Sequence, residues 1–257
     1  MTYQIVSDLH IEYKNDDNLD PLDFITPKAD ILILAGDIGS LYKFKQLKTF
    51  LEQICPHFKA TIYVPGNHEF YLQDGYKPQS FDNLNVQFHS LQQQVKKLYI
   101  LQQASIIINN ICFVGCTLWS KCLINIPRYI VRIPDMNTLT YLQKHESDVN
   151  FLKKMITWNN NMKNSGQNEY KKLVVITHHC PTEKVLSANT KKDKFKSLYV
   201  SDLEYLITNE SIHTWICGHI HQNFDFRLKG TRIVGNQKGK PKDKICDFSK
   251  EFLIDFD

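Results

Sequence analysis

Five short clusters of His, Asp and Asn residues follow runs of the chain that have the pattern of buried β-strands. The clusters are Asp8-Leu9-His10, Gly36-Asp37, Gly66-Asn67-His68-Glu69, His178-His179 and Gly218-His219-Ile220-His221. A single Asp-x-His triplet arises often by chance, whereas five clusters in order, each at a strand end, indicate one shared site. Together they supply enough nitrogen and oxygen ligands for two adjacent metal ions.

Strand and helix patterns alternate along the chain. Apolar runs predict strands covered on both faces at 31–34, 61–64 and 173–176. Apolar residues at helical spacing predict helices at 41–54, around 91–98 and at 149–156. Ser201-Asp202-Leu203-Glu204 has the pattern of a capping box and predicts a fourth helix.

Two hairpins are also expected, and they determine which kind of α/β fold is predicted. Strands at 105–108 and 111–114 flank Asn109-Asn110, and strands at 224–228 and 231–234 flank Lys229-Gly230. Antiparallel pairs within an alternating pattern predict an α/β fold with two mixed β-sheets flanked by helices. This is a four-layer α/β/β/α sandwich rather than a single doubly wound sheet.

We expect one domain over residues 1–257, a length that fits a single large α/β unit. The segment 120–172 is the least regular, and Asn159-Asn160-Asn161 and Asn164-Ser165-Gly166 predict an exposed loop there. This segment either forms an accessory flap over the site or is an ordinary surface insertion.

Composition indicates a soluble, cytoplasmic protein that does not associate with membranes. The first residues are not expected to form a signal peptide, and no apolar stretch approaches the roughly 18 residues that span a bilayer. The seven scattered cysteines are typical of reduced, buried thiols, with Cys112 and Cys116 along one strand. Cys180 follows His179, but a metal site explains this histidine better than a Cys–His nucleophile does.

The formal net charge of +4 suits an anionic substrate without indicating nucleic-acid binding. Lysines cluster at Lys184 to Lys196 and at Lys238 to Lys244. Each cluster is either an ordinary solvated surface or a contact for substrate phosphate.

The ligand types indicate the chemistry of the site. Residues two apart on an extended chain point the same way, so Asp8 and His10 can hold one ion, and His219 and His221 repeat this spacing around Ile220. Counting ligands assigns one ion to Asp8, His10, Asp37 and His221, and the other to Asp37, Asn67, His178 and His219. The carboxylate of Asp37 is expected to bridge the two ions.

Mixed nitrogen and oxygen ligation favours Mn, Fe or Zn over Ca or Mg, and we expect Mn. Two ions about 3.5–4 Å apart can polarise a phosphoryl group and activate a water. His68 is left over as the expected catalytic proton donor, with Glu69 either orienting it or lying at the surface. His178 is preferred to His179 as the ligand because it is nearer the strand end. The remaining histidines are expected to be structural or at the surface: His57, His89, His145 and His213.

The ordered set of motifs from Asp8 to His221 resembles the calcineurin-like metallophosphoesterase superfamily. Three further segments resemble its small intracellular branch: Ser7-Asp8-Leu9-His10-Ile11-Glu12, Gly115-Cys116-Thr117-Leu118-Trp119 and Thr177-His178-His179-Cys180-Pro181. The resemblance implies the four-layer sandwich, a two-metal site and hydrolysis of phosphate esters by a metal-activated water. It also implies the ligand assignment given above, with His68 as the acid or phosphate-stabilising residue.

The sequence departs from one branch of the superfamily and leaves the substrate open. Ile38-Gly39-Ser40 follows Asp37, without the arginine that phosphoprotein phosphatases carry there, which disfavours a Ser/Thr protein phosphatase. The first hypothesis is a metal-dependent phosphoric ester hydrolase acting on a small phosphomonoester or phosphodiester. The alternatives are a nuclease or nucleotide phosphatase that holds a polyanion with the lysine clusters, and a catalytically silent protein-binding scaffold.

Overall fold

Two β-sheets pack face to face between two layers of helix in the computed structural model, which describes residues 1–15, 19–167, 170–208 and 210–256. The helices of this part of the chain are α1 (Phe44–Ile54), α2 (Phe81–Gln94) and α3 (Thr138–Asn164). The strands are β1 (Tyr3–Val6), β2 (Ile31–Ala35), β3 (Ala60–Val64), β4 (Leu98–Ile100), β5 (Ala104–Ile108), β6 (Ile111–Cys116), β7 (Lys172–Thr177), β8 (Thr214–Ile216), β9 (Phe224–Leu228), β10 (Thr231–Gly235) and β11 (Leu253–Ile254).

Each sheet combines parallel and antiparallel pairs. The first sheet has the order β11-β1-β2-β3-β4, in which β1 to β4 are parallel and β11 is antiparallel to β1. The second has the order β5-β6-β7-β8-β10-β9, with a parallel centre and antiparallel strands at both edges. The predicted fold class, two mixed sheets flanked by helices, is confirmed.

The continuous apolar runs are explained by burial on both faces of a sheet. Along β2, Ile31 and Ile33 pack between the two sheets, whereas Leu32 and Leu34 belong to the cluster that covers α1 and α2. Side chains alternate in this way because successive residues of a strand point to opposite faces. A third cluster packs α3 against the outer face of the second sheet.

Most predicted elements are found close to their expected positions. The helical pattern from Leu41 gives a 3-10 turn at Leu41–Lys43 that leads directly into α1. Both hairpins form, and Asn109 and Asn110 take φ values of 52° and 60°, as a tight turn of this type requires. Cys112 and Cys116 both lie in β6, and six of the seven free cysteines are buried while Cys246 is exposed.

Three local predictions are wrong because tertiary contacts outweigh the local pattern. The second helix ends at Gln94, and Leu98 begins β4, which pairs with β3. Asn159 and its two neighbours lie within α3 rather than in a loop, and the buried Asn159 side chain donates to the carbonyl of Ser211.

The third error concerns the capping box at Ser201, since residues 201–208 contain no helix. Ser201 Oγ accepts instead from the backbone N–H of Lys121 at 2.8 Å. Glu204 accepts from the hydroxyl of Thr182 and forms an ion pair with Lys184. Ser201 and Glu204 therefore bond to neighbouring loops and do not cap a helix.

No helix within the described ranges has the length and apolarity needed to cross a bilayer. The organisation of residues 1–257 as one domain, with 120–172 as either a flap or a surface insertion, stays a prediction.

Candidate metal centre

The five sequence clusters meet at one edge of the sandwich, where the parallel strands of both sheets end. Asp8 follows β1, Asp37 follows β2, Asn67 follows β3, His178 follows β7 and His219 follows β8. Parallel strands present their carboxyl ends at the same edge of a sheet, and ligand sites of open α/β sheets form there. The packing of the two sheets brings the two sets of side chains together.

The backbone at these residues is held in an uncommon conformation. Five non-glycine residues of the clusters have positive φ values between 50° and 74°: Asp8, His10, Asp37, His219 and His221. Non-glycine residues rarely adopt this region, and such conformations persist where the surrounding structure over-determines them. At Gly36, where φ is 87°, there is also no room for a side chain, because a Cβ would collide with the ring of His178.

The first group of possible ligands is Asp8, His10 and His221. His221 Nε2 lies 3.4 Å from Asp8 Oδ1 and 3.0 Å from His10 Nε2. The opposite ring nitrogens are occupied, because His10 Nδ1 donates to Glu12 at 3.0 Å and His221 Nδ1 donates to Asp243 at 2.5 Å. In the neutral rings, both Nε2 atoms therefore present lone pairs to each other.

The second group contains Asp37, His178 and His219, with Asn67 beside it. His178 Nε2 lies 3.0 Å from Asn67 Oδ1, 3.2 Å from Asp37 Oδ2 and 3.2 Å from His219 Nδ1. The other nitrogens of these two rings donate to backbone carbonyls, His178 to Ala35 at 2.9 Å and His219 to Leu198 at 3.1 Å. Histidines that bind metals usually have this arrangement, in which the distal N–H is held by an acceptor.

Asp37 lies between the two groups. Its Oδ2 atom is 3.2 Å from His178 Nε2 and 3.8 Å from His10 Nε2. The buried carboxylate keeps its charge, since the neighbouring histidines lower its pKa well below the usual value although burial acts in the opposite direction. This is the position that a carboxylate shared by two cations would occupy.

The donor set fits divalent cations. Four potential ligand atoms lie close together here, with Asn67 Oδ1, Asp37 Oδ2 and His219 Nδ1 within 3.2 Å of His178 Nε2, and a positive charge among them would be stabilised. Burial disfavours a charged imidazole, yet the carboxylate of Asp37 raises the pKa of His178 to about 10. The site is therefore electrostatically suited to a cation, and its nitrogen and oxygen atoms are ligands that transition metals accept.

His68 lies at the edge of the first group and is almost completely buried. Its ring stacks on Tyr71 with the centroids 4.3 Å apart, and its Nδ1 atom is 3.3 Å from Glu12 Oε1. Its backbone N–H donates to Asp37 Oδ1 at 2.8 Å. Burial lowers the pKa of His68 to about 4. The ring is therefore held in place on two sides and linked to the shared carboxylate.

Glu69 neither orients His68 nor lies at the surface, which corrects both expectations. It is fully buried and accepts hydrogen bonds from the backbone N–H groups of Gly66, Asp37 and Ile38. The hydroxyl of Tyr63 also donates to it, at 2.6 Å. Glu69 thus ties together the two loops that carry Asp37 and Asn67.

The structure brings His178, and not His179, into the second group. The His179 ring packs against His219 with the centroids 4.0 Å apart, and its nitrogens lie 3.4 Å from Thr117 O and from Tyr141 Oη. Burial lowers the pKa of His179 to about 3, so it packs as a neutral ring behind the site. The four other histidines lie outside the ligand groups found among the described residues: His57, His89, His145 and His213.

The family assignment agrees with this geometry. Residues 1–223, which contain all five clusters, match the sequence pattern of calcineurin-like phosphoesterases. The chain belongs to this family. Calcineurin-like phosphoesterases are associated with divalent metal ions, and the groups around His178 and His221 are residues of this chain that could hold them.

Similar proteins are found at low sequence identity. An uncharacterised protein of Acanthamoeba polyphaga mimivirus is 29% identical over 272 residues, covering 98% of this chain and 95% of that protein. A phosphopantetheinyl hydrolase from Mycobacterium tuberculosis has a similar fold, with a TM-score of 0.70 and 15% identity over 98% of this chain and 94% of the other. A dimetal phosphatase from Danio rerio has a TM-score of 0.52 and 12% identity, covering 91% and 86%. At these identities the two structures show the fold alone.

In this calcineurin-like phosphoesterase, the carboxylates that hold His10 and His221 are Glu12 and Asp243, and the sequence motifs assign neither of them a role. Glu12 had a detectable signal, because it extends the alternation of Asp8 and His10 by another two residues. Asp243 had none. It lies in a loop beyond the matched residues, and only the fold places it against His221.

Proposed function

We propose that the protein is a binuclear metal-dependent phosphoesterase that hydrolyses small phosphomonoesters or phosphodiesters. Asp8, His10, Asp37 and His221 would hold one ion. Asp37, Asn67, His178 and His219 would hold the other. The observation that carries the proposal is the arrangement of the four histidines. Each has one nitrogen tied to an acceptor behind it and the other directed toward the space shared with Asp37.

The chemistry divides between the ions and the side chains. Two ions bound there would polarise the phosphoryl group as Lewis acids and would lower the pKa of a water nucleophile. Asp37 would supply the negative charge shared by both positions. Because His68 Nδ1 faces Glu12, His68 would have to be protonated on Nε2 as well, as an imidazolium, to donate a proton or a hydrogen bond to the phosphate or the leaving oxygen. Glu12 and Tyr71 hold the His68 ring at this position.

Mn is the metal that we propose, with Fe and Zn as alternatives. The ligands are imidazole nitrogens, carboxylate oxygens and one amide oxygen, and this mixture is less suited to Ca or Mg. Cysteine does not take part in the ligand groups of the described residues, which argues against a structural zinc site.

The test is hydrolysis of a matched chromogenic phosphomonoester and phosphodiester by chelator-stripped protein, before and after Mn²⁺ is added. Turnover that depends on the metal supports the proposal, and the ratio of diester to monoester rates selects the substrate class. Absence of turnover with Mn, Fe and Zn, although two ions bind, would point to a substrate that these esters do not mimic, or to the scaffold hypothesis. Metal content after purification gives an independent measurement, because a silent scaffold has no need of bound ions.

A nuclease or nucleotide phosphatase is the second candidate, and one observation favours it. Lys240, from the second lysine cluster, lines a cavity beside His68. In the first cluster, Lys184 and Lys196 are already paired with Glu204 and Glu183. Hydrolysis of nucleotides and single-stranded oligonucleotides, compared with the chromogenic esters, separates this candidate from the first. The cytoplasmic location stays a prediction.

A further inference from the structure

A cavity of about 460 Å³ lies beside the proposed metal centre, with Glu12 and His68 in its lining. Sites for small molecules have volumes of roughly 300–1,000 Å³, so the cavity has room for a substrate group larger than the reacting phosphate. His68 belongs both to this cavity and to a group of possible ligands with His10 and Glu12. A phosphoester reacting at the centre would therefore extend its alcohol part into this space.

Three cationic side chains from separate segments line the cavity: Lys43 before α1, Arg132 before α3 and Lys240 after β10. Lys43 Nζ donates to the backbone carbonyl of Glu12 at 2.7 Å and keeps two further donors. Lys240 Nζ has no hydrogen bond or ion pair with any residue that the structure describes. None of these three segments is close to another in sequence, so the fold assembles the group.

The lining has two carboxylates, Glu12 and Asp74, against its three cationic side chains. Glu12 is buried, and its Oε1 atom faces the rings of His10 and His68 rather than a cation of the lining. Asp74 pairs with Arg132 at 2.6 Å, but its side chain is 94% exposed, and water therefore screens the pair. Lys43 and Lys240 keep an excess of positive charge in a recess, which concentrates anions there.

We infer that Lys43, Arg132 and Lys240 form a subsite for a second anionic group of the substrate, beyond the phosphate that reacts. This inference rests on the proposed phosphoesterase function and narrows its substrate class. The preferred substrate is a small phosphoester whose alcohol part carries a further phosphate or carboxylate. Arginine and lysine donors suit either anion, and the arginine can hold one in a bidentate manner.

The experiment measures binding, so that it is independent of turnover. Alkane-α,ω-bisphosphonates with three to six carbons are titrated calorimetrically into the metal-loaded protein, and alkylphosphonates of equal length serve as the singly anionic reference. ω-Phosphonocarboxylates replace the second phosphonate by a carboxylate. The test variant is Arg132→Gln/Lys240→Gln. Lys43 is left unchanged because it supports the backbone at Glu12.

The matched control is Lys45→Gln/Lys154→Gln, which removes two exposed lysines that do not line the cavity. It lowers the net charge by the same amount and so corrects for the long-range attraction of any anion.

At one chain length, we expect the wild-type and control proteins to bind the bisphosphonate at least about tenfold more tightly than the alkylphosphonate, since hydrogen bonds to charged groups are among the stronger ones. The test variant should lose most of this gain and bind the alkylphosphonate within about twofold of wild type. A gain with the phosphonocarboxylate as well would assign the subsite to both anions.

Equal affinities for both compounds at every length, or an equal loss of both in the test variant, would overturn the subsite. Phosphoester turnover without any gain from the second anion removes the subsite and keeps the proposed function. A gain in binding without turnover of any ester removes the proposed function and keeps the anion subsite.

Discussion

The carboxylate of Glu12 lies 3.3 Å from Nδ1 of His68, and the two side chains are buried together. The same oxygen, Oε1, also accepts from His10 Nδ1 at 3.0 Å. One carboxylate therefore connects a proposed metal ligand to the proposed proton donor. Glu12, rather than Glu69, is the carboxylate that contacts the His68 ring.

Replacing Glu12 should affect metal binding and turnover together. In Glu12→Gln the negative charge behind His10 is lost, and the amide can no longer accept equally from both rings. Loss of such a partner behind a metal-binding histidine typically weakens metal affinity by about 10–100-fold. Metal titration and kcat should both show the effect, whereas Glu52→Gln, an exposed glutamate on α1, should match wild type. Unchanged metal affinity would mean that Glu12 acts on packing only.

Replacing His68 should separate chemistry from metal binding. We expect His68→Ala to keep its full metal content but to lose kcat by about 10²–10⁴-fold, the usual contribution of a general acid. Elemental analysis and steady-state kinetics measure the two quantities on the same preparation. His89→Ala, at an exposed histidine of α2, is the control. Loss of metal from the His68 variant would show that His68 is a ligand.

The shared carboxylate is tested by the variant Asp37→Asn. An amide has nearly the same shape but lacks the charge that lies between His10 and His178. We expect turnover to fall below detection and the metal content to decrease. Near-normal activity in this variant would falsify the assignment of Asp37 as the bridging ligand. Asp202→Asn, at an exposed position, controls for the loss of a carboxylate.

The first lysine cluster can be tested separately from the cavity. The triple variant Lys191→Gln/Lys192→Gln/Lys194→Gln removes three charges near the 3-10 turn Thr190–Lys192. If this cluster contacts a polyanion, KM for an oligonucleotide should rise severalfold in low salt, while KM for a small chromogenic ester stays the same. An unchanged KM for the oligonucleotide assigns these lysines to the solvated surface.

Asp148 gives a prediction about stability and pH. This residue is 5% exposed, accepts from the Gln103 side chain and from the backbone N–H of Trp119, and burial raises its pKa to about 6. The folded protein therefore binds this proton more tightly than the unfolded chain does. The stabilisation is complete below about pH 4 and decreases as the pH rises to about 6, by up to roughly 3 kcal/mol.

The variant Asp148→Asn should lack this decrease. We would measure urea unfolding of the metal-free protein from pH 4 to pH 7 and compare the two free energies of unfolding. The difference between variant and wild type should move in favour of the variant as the pH rises. A difference that is constant over this range would show that Asp148 titrates alike in the folded and unfolded chains.

Local patterns in the sequence predicted many of the elements and the place where the candidate site forms. Continuous apolar runs such as 31–34 indicate strands buried on both faces, and the asparagines at 109–110 favour a tight turn because they tolerate positive φ. Because parallel strands end at a common edge of a sheet, the sequence alone predicts that the clusters at the strand ends lie close together. The structure places them there.

Contacts between distant segments were decided by the tertiary structure alone. Ser201 and Glu204 have the local pattern of a helix start, yet loops packed against them take their hydrogen bonds. Asp243 contacts His221 across a loop. Lys43, Arg132 and Lys240 likewise line one cavity from separate segments. No repeating local pattern in the sequence predicts either arrangement. A sequence pattern reports the spacing of neighbours along the chain, whereas these groups become neighbours only when the packed sheets and loops bring their segments together.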